Sequence, residues 1–216
     1  TRVLGMIKGE FTTTDGYMPA EQVQRMKDSG NVWFKEAESI RTFYFIINHA
    51  KAPLNDPNMR RALCCMFDYE GFNNGILGGT VVRNPGIIPN PMWGAPKDLK
   101  GWTYDIDKAK HYLSLVKEKI RPLQVGVMTG YPQSEQAGQM LQAGAAKAGL
   151  ELQIEQLDST AAFQKGLQKN HEIMLSGWGG GAEFAPRFWE FFHGENATKP
   201  QTNNFTATSI PALDAL

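Results

Sequence analysis

Residues 176–194 read SGWGGGAEFAPRFWEFFHG, with Trp178 directly ahead of Gly179, Gly180 and Gly181. A large flat ring beside three glycines has a limited set of uses. Glycines in series cost conformational entropy, so they stand where backbone must turn sharply or come close to something else. Here that is a neighbouring strand, a phosphate, or a ligand stacked on the indole. Gly177, Gly179 and Ala182 satisfy the dinucleotide spacing G-x-G-x-x-A. Trp178 occupies the tight turn of that pattern, however, and fewer than 40 residues follow, too few for the rest of a nucleotide fold.

The other reactive side chains do not assemble into a catalytic signature. Ser176 in LSGWG is not the nucleophile elbow G-x-S-x-G. His49, His111, His171 and His193 have no metal-ligand spacing and read as surface or capping residues. Asp68 and Glu70, two apart on a helix, point in different directions. Cys64 and Cys65 are adjacent, a spacing unsuited to an unstrained disulfide or to zinc, and read as two small buried thiols. Of Arg60 and Arg61, one reads as a surface charge and the other as the holder of a carboxylate such as Asp56 or Asp68. Neither a metal nor a cofactor is called for.

The elements that must position Trp178 follow from periodicity. Pro19 and Gly30 bracket a helix, and VWFKEAES (32–39) and RTFYFIINHA (41–50) read as strands. A helix spans NMRRALCCMFDYEGFNNGIL (58–77), with Met59, Leu63, Met66 and Phe67 on one face and Asp56 or Asn58 as cap. A long proline- and glycine-rich loop follows (78–104), which Trp93 and Trp102 are expected to pack. Then come a helix capped by Asp105, the strand LQVGVMTG, a helix ending at Gly149, the alternating strand LELQIEQLD, a helix with a Ser or Thr cap, and the strand HEIMLSGW. This order implies an α/β fold, a sheet covered by helices, with Trp178 at the carboxyl end of a strand. Ligands of open α/β sheets collect outside those ends.

With 42% apolar and 20% charged residues, the composition is ordinary for a globular protein. Lys+Arg and Asp+Glu balance at 22 each, which argues against a nucleic-acid groove. No apolar run approaches the length of a membrane span. The chain starts at Thr1 without a leader and stops in what reads as a first helical turn, SIPALDAL, so it is expected to be a piece of a longer protein.

The run RTFYFIINHAKAPLNDPNMRRALCCMFDYEGF resembles a segment of family 5 extracellular solute-binding proteins, the peptide- and nickel-binding receptors of ABC importers. Asn48, Pro53, Asp56, Arg60, Ala62 and Asp68 fill the family's places. IIPNPMWG, YDIDKAKHYL and GEFTTTDGYMPAEQVQRMK are similar to neighbouring family stretches. The resemblance implies a periplasmic-binding-protein-like (type II) lobe with a mixed sheet. Residues 1–216 would be most of the C-terminal ligand-binding lobe, with the other lobe absent. It implies a periplasmic or lipid-anchored, non-catalytic receptor that closes two lobes on a small solute, peptide or peptide-like, and delivers it to ABC permease subunits.

In peptide-binding relatives the corresponding loop reads like Gly-Trp-x-Gly-Asp, the acid receiving the peptide ammonium. Trp178 and Gly180 match, Gly181 stands in the acid's place, and Glu183 lies two residues on. The expected ligand-binding residues are Trp178, Gly179, Gly180, Gly181, Glu183 and, on the rim, Trp93. The rival reading is an α/β hydrolase-like or transferase domain, which requires a nucleophile and a base within hydrogen-bond reach at the strand ends. A third is a purely structural lobe with the glycine loop buried against protein.

Overall fold

The computed structural model describes residues 2–14, 18–178 and 190–215. Strands β1 (Thr42–Ile47), β2 (Leu123–Met128), β3 (Leu152–Leu157) and β4 (Ile173–Trp178) form one sheet in the order β1-β4-β2-β3. β2 is parallel to both β3 and β4, whereas β1 runs antiparallel to β4. Parallel neighbours need crossovers, and helices α6 (Pro132–Ala148) and α7 (Ser159–Leu167) supply them. The helix-covered sheet is the architecture expected from the alternation of strand and helix patterns, and its mixed strand directions are those the family resemblance implies.

Period-two alternation divides the strand side chains between two faces. Leu123, Val125, Ile173 and Leu175 pack with Met59, Leu63 and Met66 of α3 (Pro57–Met66) and with Ala137, Leu141 and Ala145 of α6. Ile46, Leu157 and Met174 form the opposite face, where Ala162 of α7 covers them and Phe205 packs alongside. A smaller cluster joins α1 (Arg2–Ile7) and α2 (Ala20–Ser29) through Val3, Met18 and Met26.

Aspartates start three of these elements by accepting backbone N–H bonds that a helix leaves unpaired. Asp56 accepts from Asn58 N at 2.7 Å to start α3. Asp105 accepts from Lys108 N at 2.9 Å to start α5 (Ile106–Ser114). Asp158 accepts from Thr160 N and Ala161 N, both at 2.9 Å, to start α7. The α7 cap is therefore Asp158, one residue before the expected Ser or Thr. Its carboxylate reaches two donors where a hydroxyl would satisfy one.

Two further expectations fail. Residues 32–39 form no strand, because no strand of the described residues lies beside them. Instead Val32 and Phe34 pack on the α1–α2 cluster, and Lys27 pairs with Glu36 at 3.0 Å and lies over the Phe34 ring. The helix expected over 58–77 breaks after Met66. Phe67 is extended (φ −92°, ψ 126°), and Asp68 caps a new turn, α4 (Tyr69–Gly71), through Gly71 N. The break lets Phe67 meet Phe45, Tyr69 and Phe72 edge-on or tilted, at centroid distances of 5.2–5.4 Å.

Candidate functional site

The site is built at the carboxyl ends of β2, β3 and β4. Met128 leads into Thr129–Tyr131 and α6, and Leu157 leads into Asp158 and α7. Trp178 is the last residue of β4, paired in register with Thr42, the first residue of β1. One antiparallel step back, Gly177 faces Phe43 and Ser176 faces Tyr44. A Cβ on Gly177 would come within 3.3 Å of Thr42 O and of Phe43 Cδ2, tighter than ordinary contact. Glycine at this place brings the start of β1 against the end of β4.

The backbone of Trp178 therefore stands where the sequence put it, at the carboxyl end of an interior strand. Gly179, Gly180, Gly181 and Glu183 lie outside the described residues. Trp93 sits in the 78–104 loop with 98% of its surface exposed, so it touches almost nothing in this chain. It does not pack that loop, contrary to expectation: no neighbouring side chain shelters the ring. Trp102 does pack, edge-on to Tyr112 at 6.4 Å.

Sequence reasoning missed the β1 contribution to this end. Phe43 and Tyr44 are large aromatics that remain partly exposed beside Gly177 and Ser176. Desolvation pushes the Tyr44 phenol up to about 12, so it stays protonated and able to donate a hydrogen bond throughout the physiological range. The available signal was the run TFYFII, whose aromatics exceed what one strand of a small core needs. Which strand it would pair with was not legible.

Among the described residues this end offers a phenol, that of Tyr44 beside Ser176. Among the described residues Ser176 makes no hydrogen bond to a histidine or carboxylate, and no group of three or more His, Cys, Asp or Glu is placed to hold a metal ion. Arg60 does not hold a carboxylate directly. Its Nη1 donates to Leu54 O at 2.6 Å and Asn55 O at 2.9 Å, so it fastens the turn before α3. Cys65 is buried and Cys64 half-buried, both as free thiols, and burial pushes the Cys64 thiol up to about 11. His193 accepts from Glu195 N at 3.2 Å, as a capping residue does. His171 departs from the surface reading: it is 5% exposed. The loop before β4 folds under the sheet, where Asn48 donates to its carbonyl at 3.0 Å.

The family positions prove structural. Asn48, wholly buried, joins the end of β1 to the loop before β4 by donating to Lys169 O at 2.9 Å as well. Asp56, Ala62 and Asp68 cap or pack the α3 region.

Comparison with known proteins agrees with this architecture. The family model for bacterial extracellular solute-binding proteins, family 5 Middle, matches residues 1–199. The chain is 29% identical over 178 residues to the probable D,D-dipeptide-binding periplasmic protein DdpA of Escherichia coli (strain K12), covering 82% of this chain and 34% of that protein. It superposes with a TM-score of 0.87 on the periplasmic binding protein DppA from Helicobacter pylori in complex with the peptide STSA. That match has 20% identity and covers 99% of this chain and 42% of that one. It superposes with a TM-score of 0.81 on NikA from Staphylococcus aureus in complex with Ni(L-His)2, at 18% identity, covering 99% of this chain and 45% of that one. The chain thus spans about a third of the length of the curated relatives it matches.

Proposed function

The chain belongs to the bacterial extracellular solute-binding proteins of family 5, and from that premise we propose that it serves as part of the solute-capturing component of an ABC importer. It forms most of the C-terminal lobe of a two-lobe receptor, a reading supported by its coverage of about a third of the curated relatives. The receptor works outside the cytoplasmic membrane, in the periplasm or held by a lipid anchor, and presents its closed form to permease subunits.

One observation carries the reading: Trp178 ends an interior strand of a mixed sheet, directly before a glycine run and in register with the start of β1. The indole stacks on the solute, the glycines 179–181 bring their backbone close to it, and Tyr44 supplies a donor at the edge. A small peptide or peptide-like solute suits this set, with Glu183 receiving its ammonium in place of the acid that Gly181 replaces. A buried ammonium without a carboxylate would be costly. The second lobe supplies the remaining contacts, and closure buries the solute between the two. No hydrolase or transferase constellation competes, since the polar groups described at the strand ends pair no nucleophile with a base.

The test is a thermal-shift screen of peptides, sugars and metal chelates on the full-length receptor, followed by Trp178→Ala. Loss of a stacked, fully desolvated aromatic is expected to weaken affinity for the identified solute by about tenfold or more. Unchanged affinity removes Trp178 from the site.

A further inference from the structure

At the other end of the sheet from Trp178, a cleft of about 370 Å³ opens at the amino ends of the parallel strands. Gln124 of β2 and Gln153 of β3, partners in register, line it along with Lys51, Arg121, Lys165 and His171. The volume is that of a small-molecule site, but the lining is polar and carries excess positive charge. Glu172 is the one acid among the lining residues, against three cations.

The cations have donors to spare. An ammonium has three N–H groups. Among the described residues Lys51 Nζ uses one, to Asn170 Oδ1 at 3.0 Å, and Lys165 Nζ uses one, to Glu155. Arg121 is fixed in the wall by Glu172 and by the carbonyls of Ala52 and Pro122. His171 contributes a second, independent sign. Its Nδ1 lies 3.4 Å from Lys165 O, while its Nε2 is buried with no hydrogen-bond partner among the described residues. Burial and the charges of Lys51, Lys165 and Lys169 hold this imidazole neutral, with its pKa lowered to about 4. Glu155, Glu172 and Arg121 are the other charged groups around the cleft. Burial opposes any charge on the ring, but the three lysine charges that also act on it favour an anion beside them, and the buried Nε2 is left without a partner among the described residues.

We propose that this cleft binds a small oxyanion, held by the Lys51 and Lys165 ammonium groups with Arg121 and the Gln124 and Gln153 amides at its border. It is separate from the solute site at the β4 terminus and independent of that assignment. Anion and proton are linked: the bound negative charge favours the imidazolium of His171, so each strengthens the other.

The test is a nuclear magnetic resonance titration of the protein with millimolar sulfate, which stays a dianion between pH 5 and 8, at ionic strength fixed by sodium chloride. Saturable shifts of the His171 ring and the Gln124 and Gln153 side-chain amides are expected, with affinity rising from pH 7 to pH 5. Lys51→Gln, a change at a half-exposed site, should weaken binding about tenfold through loss of one charge-assisted hydrogen bond. Succinate in a parallel titration distinguishes a carboxylate ligand from a tetrahedral one, and saturation by either supports the site. If neither anion saturates, if chloride reproduces the shifts, or if Lys51→Gln binds as the parent does, the proposal is overturned.

Discussion

Gly144 leaves no room for a side chain. A Cβ there would lie 1.8 Å from Met66 O, the carbonyl that ends α3, so α6 crosses α3 with backbone against backbone. Gly144→Ala is therefore expected to destabilise the protein by roughly 3 kcal/mol, the upper end of the overpacking range, because the atom in the way is main chain and cannot rotate aside. Urea unfolding of the variant checks it, and a cost under about 1 kcal/mol would mean that the two helices slide apart freely. Asp56 is a second single-residue dependence. One oxygen caps α3 through Asn58 N, and the other accepts from Lys117 N at 3.1 Å, tying the end of the α5 region to the start of α3. Those bonds hold its carboxyl below the usual range. Asp56→Ala should cost about 1–2 kcal/mol by the same measurement, whereas Asp56→Asn, which keeps an acceptor, should cost less.

At the scale of elements, the ends of β1 and β4 away from Trp178 carry two buried or half-buried neutral histidines. His49 accepts or donates across 3.2 Å to Thr208 Oγ1, and desolvation together with Arg60 lowers its pKa to about 4. His171, in the loop before β4, is lowered to about 4 as well, chiefly by burial. Both values lie below the 6.5 of an unfolded histidine, so the unfolded chain binds more protons between those limits. Stability should thus fall as pH drops from about 6.5 towards 4, with a flat stretch above. Melting temperatures at closely spaced pH values test this. Replacing His171 by Gln should reduce the slope in that window, and a melting temperature unchanged down to pH 4.5 would contradict the assignment.

At the scale of the whole molecule, the loop between η1 (Phe72–Ile76) and α5 leaves Val82 and Trp93 almost wholly exposed. Under the two-lobe reading, Trp93 belongs to the rim that closure covers. Acrylamide quenching of Trp93, isolated by comparison with Trp93→Phe, should then fall when the full-length receptor binds its solute. Quenching that does not change on binding would place Trp93 outside the cleft. The small α1–α2 cluster is separate from the sheet core, and Gly78 lies against Ala20 of α2.

Much of this was legible in one dimension because it depends on neighbours in sequence. Period-two and helical alternation located β2, β3, β4 and α6, Asp105 placed the start of α5, and Asp56, one of two candidate caps, that of α3, since capping and side-chain periodicity are local. The family, too, was carried by short motifs such as Asn48 to Asp68, whose residues turn out to hold the framework. What required the tertiary structure is everything set by a distant partner. Residues 32–39 have the composition of a strand but, among the described residues, no strand beside them to bond with. His171 looks like a surface residue until the end of β1 closes over it. The pairing of Trp178 with Thr42, and the basic cleft at the far end of the same strands, exist because β1 enters the sheet antiparallel to β4. That choice is made by long-range packing on both faces of the sheet.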